Sequence, residues 1–179
     1  VEKAITEVEY LSDVSIDVKT KILKDLPKRK FPMVEQSQEK LNNAIKKLET
    51  LRKNKAAKQE IRTAECDWFG AEETFTLSRA AQSGLLDEEY KKCLPAEVQI
   101  IKIGSLNFVG WQGELLIEYA LEIKNKFPNT FVISLANGEM QGYIVTKQAF
   151  DEGGYEASNA LFSYETGNIF VRETIEMLK

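Results

Sequence analysis

The spacing of apolar positions changes period twice along this chain, and the expected elements follow from those changes. Residues 4–11 and 14–19 alternate apolar with polar, through Ile5, Val8 and Tyr10 and then Val14, Ile16 and Val18, around Ser12 and Asp13. A period of two broken by a polar pair predicts a β-hairpin. Beyond Pro27 and Pro32, which bracket the basic KRK at 28–30, the period lengthens: Leu41, Ile45, Leu48 and Leu51 recur at helical intervals. That stripe predicts an amphipathic helix over 34–62, with Glu49 and Lys53 as a supporting i,i+4 pair. More helix is expected over 71–92, interrupted at Gly84 and closed near Pro95.

From Glu97 the pattern becomes α/β. VQIIKI at 98–103 and LNFVG at 106–110 read as strands joined by a Gly104-Ser105 turn. In LLIEYALEIKNKF, Leu116, Tyr119, Ala120 and Ile123 share one helical face, and Pro128 follows. TFVISLA at 130–136 is nearly all apolar, as in a strand covered on both faces, so strand, helix and strand make a βαβ-like unit. Thr146 is placed to cap a short helix, KQAFDE, ended by Gly153-Gly154, and SYETGNIFVRETIEMLK closes the chain as a helix. The fold class predicted is α/β: a mixed sheet with the 34–62 and 71–92 helices packed against it. The chain reads as one incomplete domain, helix-rich over about 34–92 and α/β over 97–179.

Composition narrows the function classes. Lys+Arg 24 against Asp+Glu 28 gives a net charge of -4, which argues against a broad nucleic-acid or anionic-membrane footprint. The basic run KKLETLRKNKAAK at 46–58 lacks interleaved aromatics and reads as a solvated helix face. Cys66 and Cys93 have neither metal-ligand spacing nor a disulfide framework, and read as buried reduced thiols. The longest apolar runs are far too short to cross a bilayer, so a soluble chain is expected, with its location undetermined. The chain opens on Val1 directly into a strand-like pattern, so a piece of a longer polypeptide is expected.

Three residues stand out as chemistry. Glu114 follows Gly113 where a strand passes into a helix, a place that suits either a first-turn carboxylate offsetting the helix dipole or a catalytic or metal-binding carboxylate at a sheet edge. Tyr143, just after Gly142, and Tyr155, just after Gly153-Gly154, lie twelve residues apart on glycine-punctuated joints. A phenol can donate to a developing oxyanion or ligate a hard metal as phenolate.

The ordered set GE at 113–114, LAN at 135–137, GYIVT at 142–146 and GGYE at 153–156 resembles the C-terminal part of the catalytic domain of the neutral/alkaline (non-lysosomal) ceramidase family. The resemblance covers residues 97–165 well and the remainder loosely. It implies a zinc-dependent amidohydrolase that cleaves the N-acyl bond of ceramide or a related N-acylated substrate. Two histidines from the N-terminal part of the catalytic domain would hold zinc with Glu114 and Tyr143, and Tyr155 would assist at the scissile carbonyl. Two departures accompany it. The loop NGEMQGY is one residue longer than the family pattern, with Glu139 near the place of a tyrosine, which admits an amide other than ceramide, including cell-wall or sugar-linked amides. The chain has no histidine, so the imidazole ligands must come from the remaining N-terminal part of the domain, and this chain alone is expected to hold no catalytic zinc and to show no amidase activity. A noncatalytic α/β binding or assembly module on the same scaffold is the alternative. Pairing of an open sheet edge with a second copy, giving a homo-oligomer, also stays open.

Overall fold

Why this sequence yields a helical hairpin beside a one-sided sheet is legible element by element. The structure, a computed structural model, describes Lys3, residues 6–8, Tyr10 and residues 12–179. Strand β1 (Ile16–Leu23) is followed by helices α1 (Val34–Lys53), α2 (Lys58–Gln82) and α3 (Leu85–Cys93). Then come β2 (Ala96–Ile103), β3 (Leu106–Trp111), β4 (Glu114–Leu115), α4 (Ile117–Lys126) and β5 (Thr130–Ile133). The chain ends with β6 (Tyr143–Ile144), α5 (Lys147–Glu152), α6 (Tyr155–Ser158) and α7 (Glu165–Leu178).

The main sheet has the order β1-β2-β3-β5, antiparallel except for the parallel β3–β5 pair, so the expected α/β class with a mixed sheet is what forms. Gly104, at φ 59, makes the β2–β3 turn, and β3–α4–β5 is the parallel crossover unit. Residues 16–19 of the expected second arm fall in β1, whose Ile16 pairs with Ile103 and whose Leu23 pairs with Ala96. The other expected arm, 4–11, includes positions outside the described residues. Local alternation identified a strand but not its partner, which lies about eighty residues away in sequence.

The helical boundaries also differ from expectation. One helix was predicted over 34–62, yet α1 ends at Lys53 in a Schellman arrangement: Lys55 sits at φ 51, its N–H reaches Arg52 O at 3.1 Å, and Ala56 N–H reaches Leu51 O at 3.0 Å. Helix α2 then runs unbroken through 62–71, where a gap was expected, opened by the Glu60 carboxylate accepting the Ala57 N–H at 3.1 Å. As predicted for 71–92, Leu86, Tyr90 and Cys93 of α3 belong to the core cluster that holds Val98 and Trp111, Leu77 and Ala80 of α2 pack against it, and α1 and α2 make up the outer helical pair. They pack on each other through Leu41, Leu48 and Ala64, and α2 rests on α3 and α6. Their buried residues lie outside the main core cluster.

One face of the sheet carries that core. Val98, Ile100, Val109 and Trp111 lie beneath α4 and α7, against Tyr119, Ile123, Phe170 and Val171. Trp111 meets the Phe170 ring edge-on at 6.2 Å and donates its indole N–H to Thr174 Oγ1 at 2.9 Å. Lys21 pairs with Glu173 at 3.2 Å and Lys19 donates to the Met177 carbonyl at 2.7 Å, tying β1 to α7.

Among the described residues, no helix covers the opposite face. The register aligns Ile16, Val18 and Ile22 of β1 with Ile101 and Ile103 of β2, Leu106 and Phe108 of β3, and Phe131 and Ile133 of β5. Ile16 is 68% exposed, Val18 54%, Phe131 48% and Ile133 49%. The nearly all-apolar 130–136 run was expected to be covered on both sides, and among the described residues it is covered on one. Phe108 and Phe131 stack at 5.4 Å on the open side.

Candidate functional site

The three residues singled out in the sequence converge beyond the carboxyl ends of β3 and β5. β3 finishes at Trp111, and Gln112 anchors the chain as it leaves the sheet: its Oε1 accepts the Glu97 N–H at 3.1 Å, and its Nε2 reaches Glu139 O at 3.3 Å and Cys93 O at 3.5 Å. The chain then forms a two-stranded parallel ladder in which Glu114 is registered with Tyr143 and Leu115 with Ile144. Leu116 N–H continues the ladder to Ile144 O at 3.2 Å. Leu115 and Ile144 are buried, while Glu114 is exposed and Tyr143 half-buried, so the ladder presents a carboxylate and a phenol side by side at its outer end.

Glu114 is a strand residue and not part of the first turn of α4, where Glu118 takes the dipole position. The helix-dipole account of Glu114 therefore fails. Gly142, at φ 74, is required next to Tyr143: a Cβ there would run into the Asn159 carbonyl oxygen, so only glycine lets the end of α6 lie against β6. Thr146 Oγ1 caps α5 by accepting the Ala149 N–H at 3.1 Å, as expected, and the Gly153-Gly154 pair turns the chain into α6. Tyr155, the first residue of α6, meets the Tyr143 ring edge-on at 6.1 Å.

Electrostatics follow from this crowding. Partial burial pushes the Tyr143 phenol above its ordinary value, reinforced by the negative charge of Glu114 and then by Tyr155 and Glu156. Among the described residues no hydrogen bond engages that hydroxyl. The phenol stays a neutral donor at neutral pH unless a cation is brought beside it.

Two supporting residues were not recognised in the sequence. Tyr119, read only as part of a helical stripe, sends its hydroxyl across to Val145 O at 2.9 Å and Tyr164 O at 3.1 Å, pinning the segment just after Tyr143. Burial pushes its phenol up to about 12. Arg29, read only as part of a basic loop, donates through Nη1 to the carbonyls of Ala157, Ser158 and Ala160 at 2.7, 2.9 and 2.8 Å, fixing the turn that carries Tyr155. Two prolines bracketing a basic triplet are a weak signal, because such loops are usually solvated.

Whether these groups suit zinc can be judged from the donor set. Zinc hydrolases present three protein ligands, usually with imidazole among them, and an open position. Glu114 and Tyr143 offer two oxygens, the chain has no histidine, and among the described residues no group of three or more acidic or cysteine side chains gathers around a common point. Alone, this set does not fit a zinc site.

Glu114, Tyr143 and Tyr155 thus define a carboxylate–phenol cluster at the edge of an α/β sheet. No family model, curated protein or solved structure matches this chain.

Proposed function

We propose that this chain supplies one side of the active site of a ceramidase-like, zinc-dependent amidohydrolase, acting on the N-acyl bond of ceramide or a related N-acylated substrate. The observation that carries the reading is the register that sets Glu114 directly opposite Tyr143, with the Tyr155 ring on Tyr143. Residues drawn from three separate stretches of sequence are gathered at one edge. The imidazoles of such a site would belong to a histidine-bearing segment packed on this chain, and the bare apolar sheet face is a surface of the kind such a segment would cover.

On this reading the residues have distinct tasks. Glu114 contributes fixed negative charge and a hard oxygen donor. Tyr143 contributes a second oxygen, whose phenol loses its proton only when a cation offsets the Glu114 charge. Tyr155 sits at the start of α6, half exposed and free to donate a hydrogen bond to the amide carbonyl oxygen as negative charge develops there. Glu139, exposed in the loop leading to Tyr143, adds a carboxylate that would favour a more polar amide than ceramide.

A noncatalytic α/β assembly module is the second reading, favoured by the extent of the open sheet face. Hydrolysis of ceramide and a panel of N-acyl amides by the histidine-bearing polypeptide that contains this chain separates the two. The enzyme reading expects turnover that drops about 10²-fold or more in kcat on Tyr155→Phe, the loss typical of one oxyanion donor. Absence of turnover on every amide, or a rate indifferent to Tyr155→Phe, would leave the module.

A further inference from the structure

A cavity of about 570 Å3 lies between α1, α2, the 29–32 segment and the turn from α5 into α6, separate from the Glu114–Tyr143 ladder. Its volume is in the range of small-ligand sites. Its charge balance is lopsided for an acidic protein: Arg29, Lys30 and Lys40 line it, and Asp67, the carboxylate on its wall, is already paired with Lys47 at 2.8 Å.

Arg29 is held rigidly there. Its guanidinium lies against the Phe31 ring at 4.8 Å and the Phe150 ring at 5.6 Å, and all three of its hydrogen bonds leave from Nη1 to backbone carbonyls. Its Nε is buried without a partner and closed to solvent, Nη2 makes no hydrogen bond among the described residues, and no carboxylate there neutralises the cation. A buried donor left unpaired is costly, and so is a cation withdrawn from water without an anion. Burial also draws this guanidinium below its ordinary value. Nη1 alone explains how Arg29 clamps the 157–160 turn. The unmet donor and the two further lysines are surplus to that task.

We propose that this cavity binds an organic carboxylate with an apolar body, its carboxylate taken by Arg29 with Lys30 and Lys40 and its body lying against Phe31 and Phe150. With Nη1 committed to backbone carbonyls and Nε closed to solvent, Nη2 is the prong left to a carboxylate, and the flanking rings favour a ligand that brings apolar surface with its charge. Because Gly153, Gly154 and Ala157 form one wall, an occupant would also brace the turn that carries Tyr155.

Cys66 reports occupancy. It lines the cavity and is half-buried, whereas Cys93 is buried in the core and serves as the internal control. The rate of Cys66 alkylation by neutral iodoacetamide, read by mass spectrometry, is measured with octanoate, octanol, octylamine, acetate or inorganic phosphate. Octanoate is expected to protect Cys66 saturably and the other four only weakly. Lys30→Gln with Lys40→Gln should weaken octanoate about threefold, as for exposed charge pairs. Arg29→Lys should weaken it about tenfold or more, since the planar group held between the rings and its free Nη2 are lost. Should Arg29→Lys fail to fold, the exposed lysine pair still decides. No protection by octanoate, equal protection by octanol or by phosphate, or protection indifferent to both lysines would each overturn the proposal.

Discussion

At the residue scale, the site depends on side chains whose roles follow from packing more than from their chemistry. Gly142 has neither the φ nor the space for a side chain, so Gly142→Ala should destabilise by about 1–3 kcal/mol in chemical denaturation and disturb Tyr143. Gly153 has open space beyond it but lies at φ 80 and ψ -151, a region essentially confined to glycine, so Gly153→Ala should also cost about 1–3 kcal/mol, from backbone strain alone. Tyr90 and Tyr119 both have phenols pushed to about 12, principally by burial. Each keeps its proton in the folded protein above the unfolded value near 10, so the stabilisation is complete below pH 10 and is lost as pH rises toward 12. Unfolding free energy should therefore fall between pH 10 and 12, by about 2–3 kcal/mol per tyrosine, and Tyr119→Phe should flatten part of that slope. A profile unchanged by Tyr119→Phe would contradict that assignment. The glycine-flanked tyrosines were legible in sequence because glycine marks unusual backbone. Tyr119 and Arg29 were not, because their partners are backbone carbonyls that no side-chain pattern encodes.

At the element scale, the βαβ unit, the capped α5 and the closing α7 were readable from local periodicity and turn residues. The end of α1 was not, because Lys55 occupies a left-handed position that usually belongs to glycine. Lys55→Gly should accordingly raise stability by about 0.5–1 kcal/mol, measured by thermal or urea unfolding, and a loss would contradict the Schellman assignment. The helix periodicity found apolar stripes on α1 and α2 but could not say that α1 buries its stripe on α2 while Leu77 and Ala80 of α2 pack against the core cluster. The pairing of Glu114 with Tyr143 was equally invisible: two-residue strands carry no period, and their register is set by Gln112, Gly142 and the buried Leu115 and Ile144.

At the scale of the whole molecule, one sheet face is filled and, among the described residues, the other is a largely apolar surface running from Ile16 to Ile133. The sequence led to the expectation of a doubly covered strand at 130–136, whereas among the described residues Phe131 and Ile133 stay about half exposed. The isolated chain should bind the dye ANS, and Phe131→Glu with Ile133→Glu should reduce that binding while changing stability by no more than about 0.5 kcal/mol. If the proposed histidine-bearing segment covers this face, the same change should cost about 2 kcal/mol or more in the polypeptide that contains both, because the charges would be buried. The central claim is that Glu114 and Tyr143 act together as oxygen donors to one metal. Zinc content of that polypeptide, measured after dialysis against a weak chelator, tests it most directly. About one zinc per chain is expected, falling well below stoichiometric in both Glu114→Gln and Tyr143→Phe with the fold retained. Full zinc occupancy in either variant would contradict the claim.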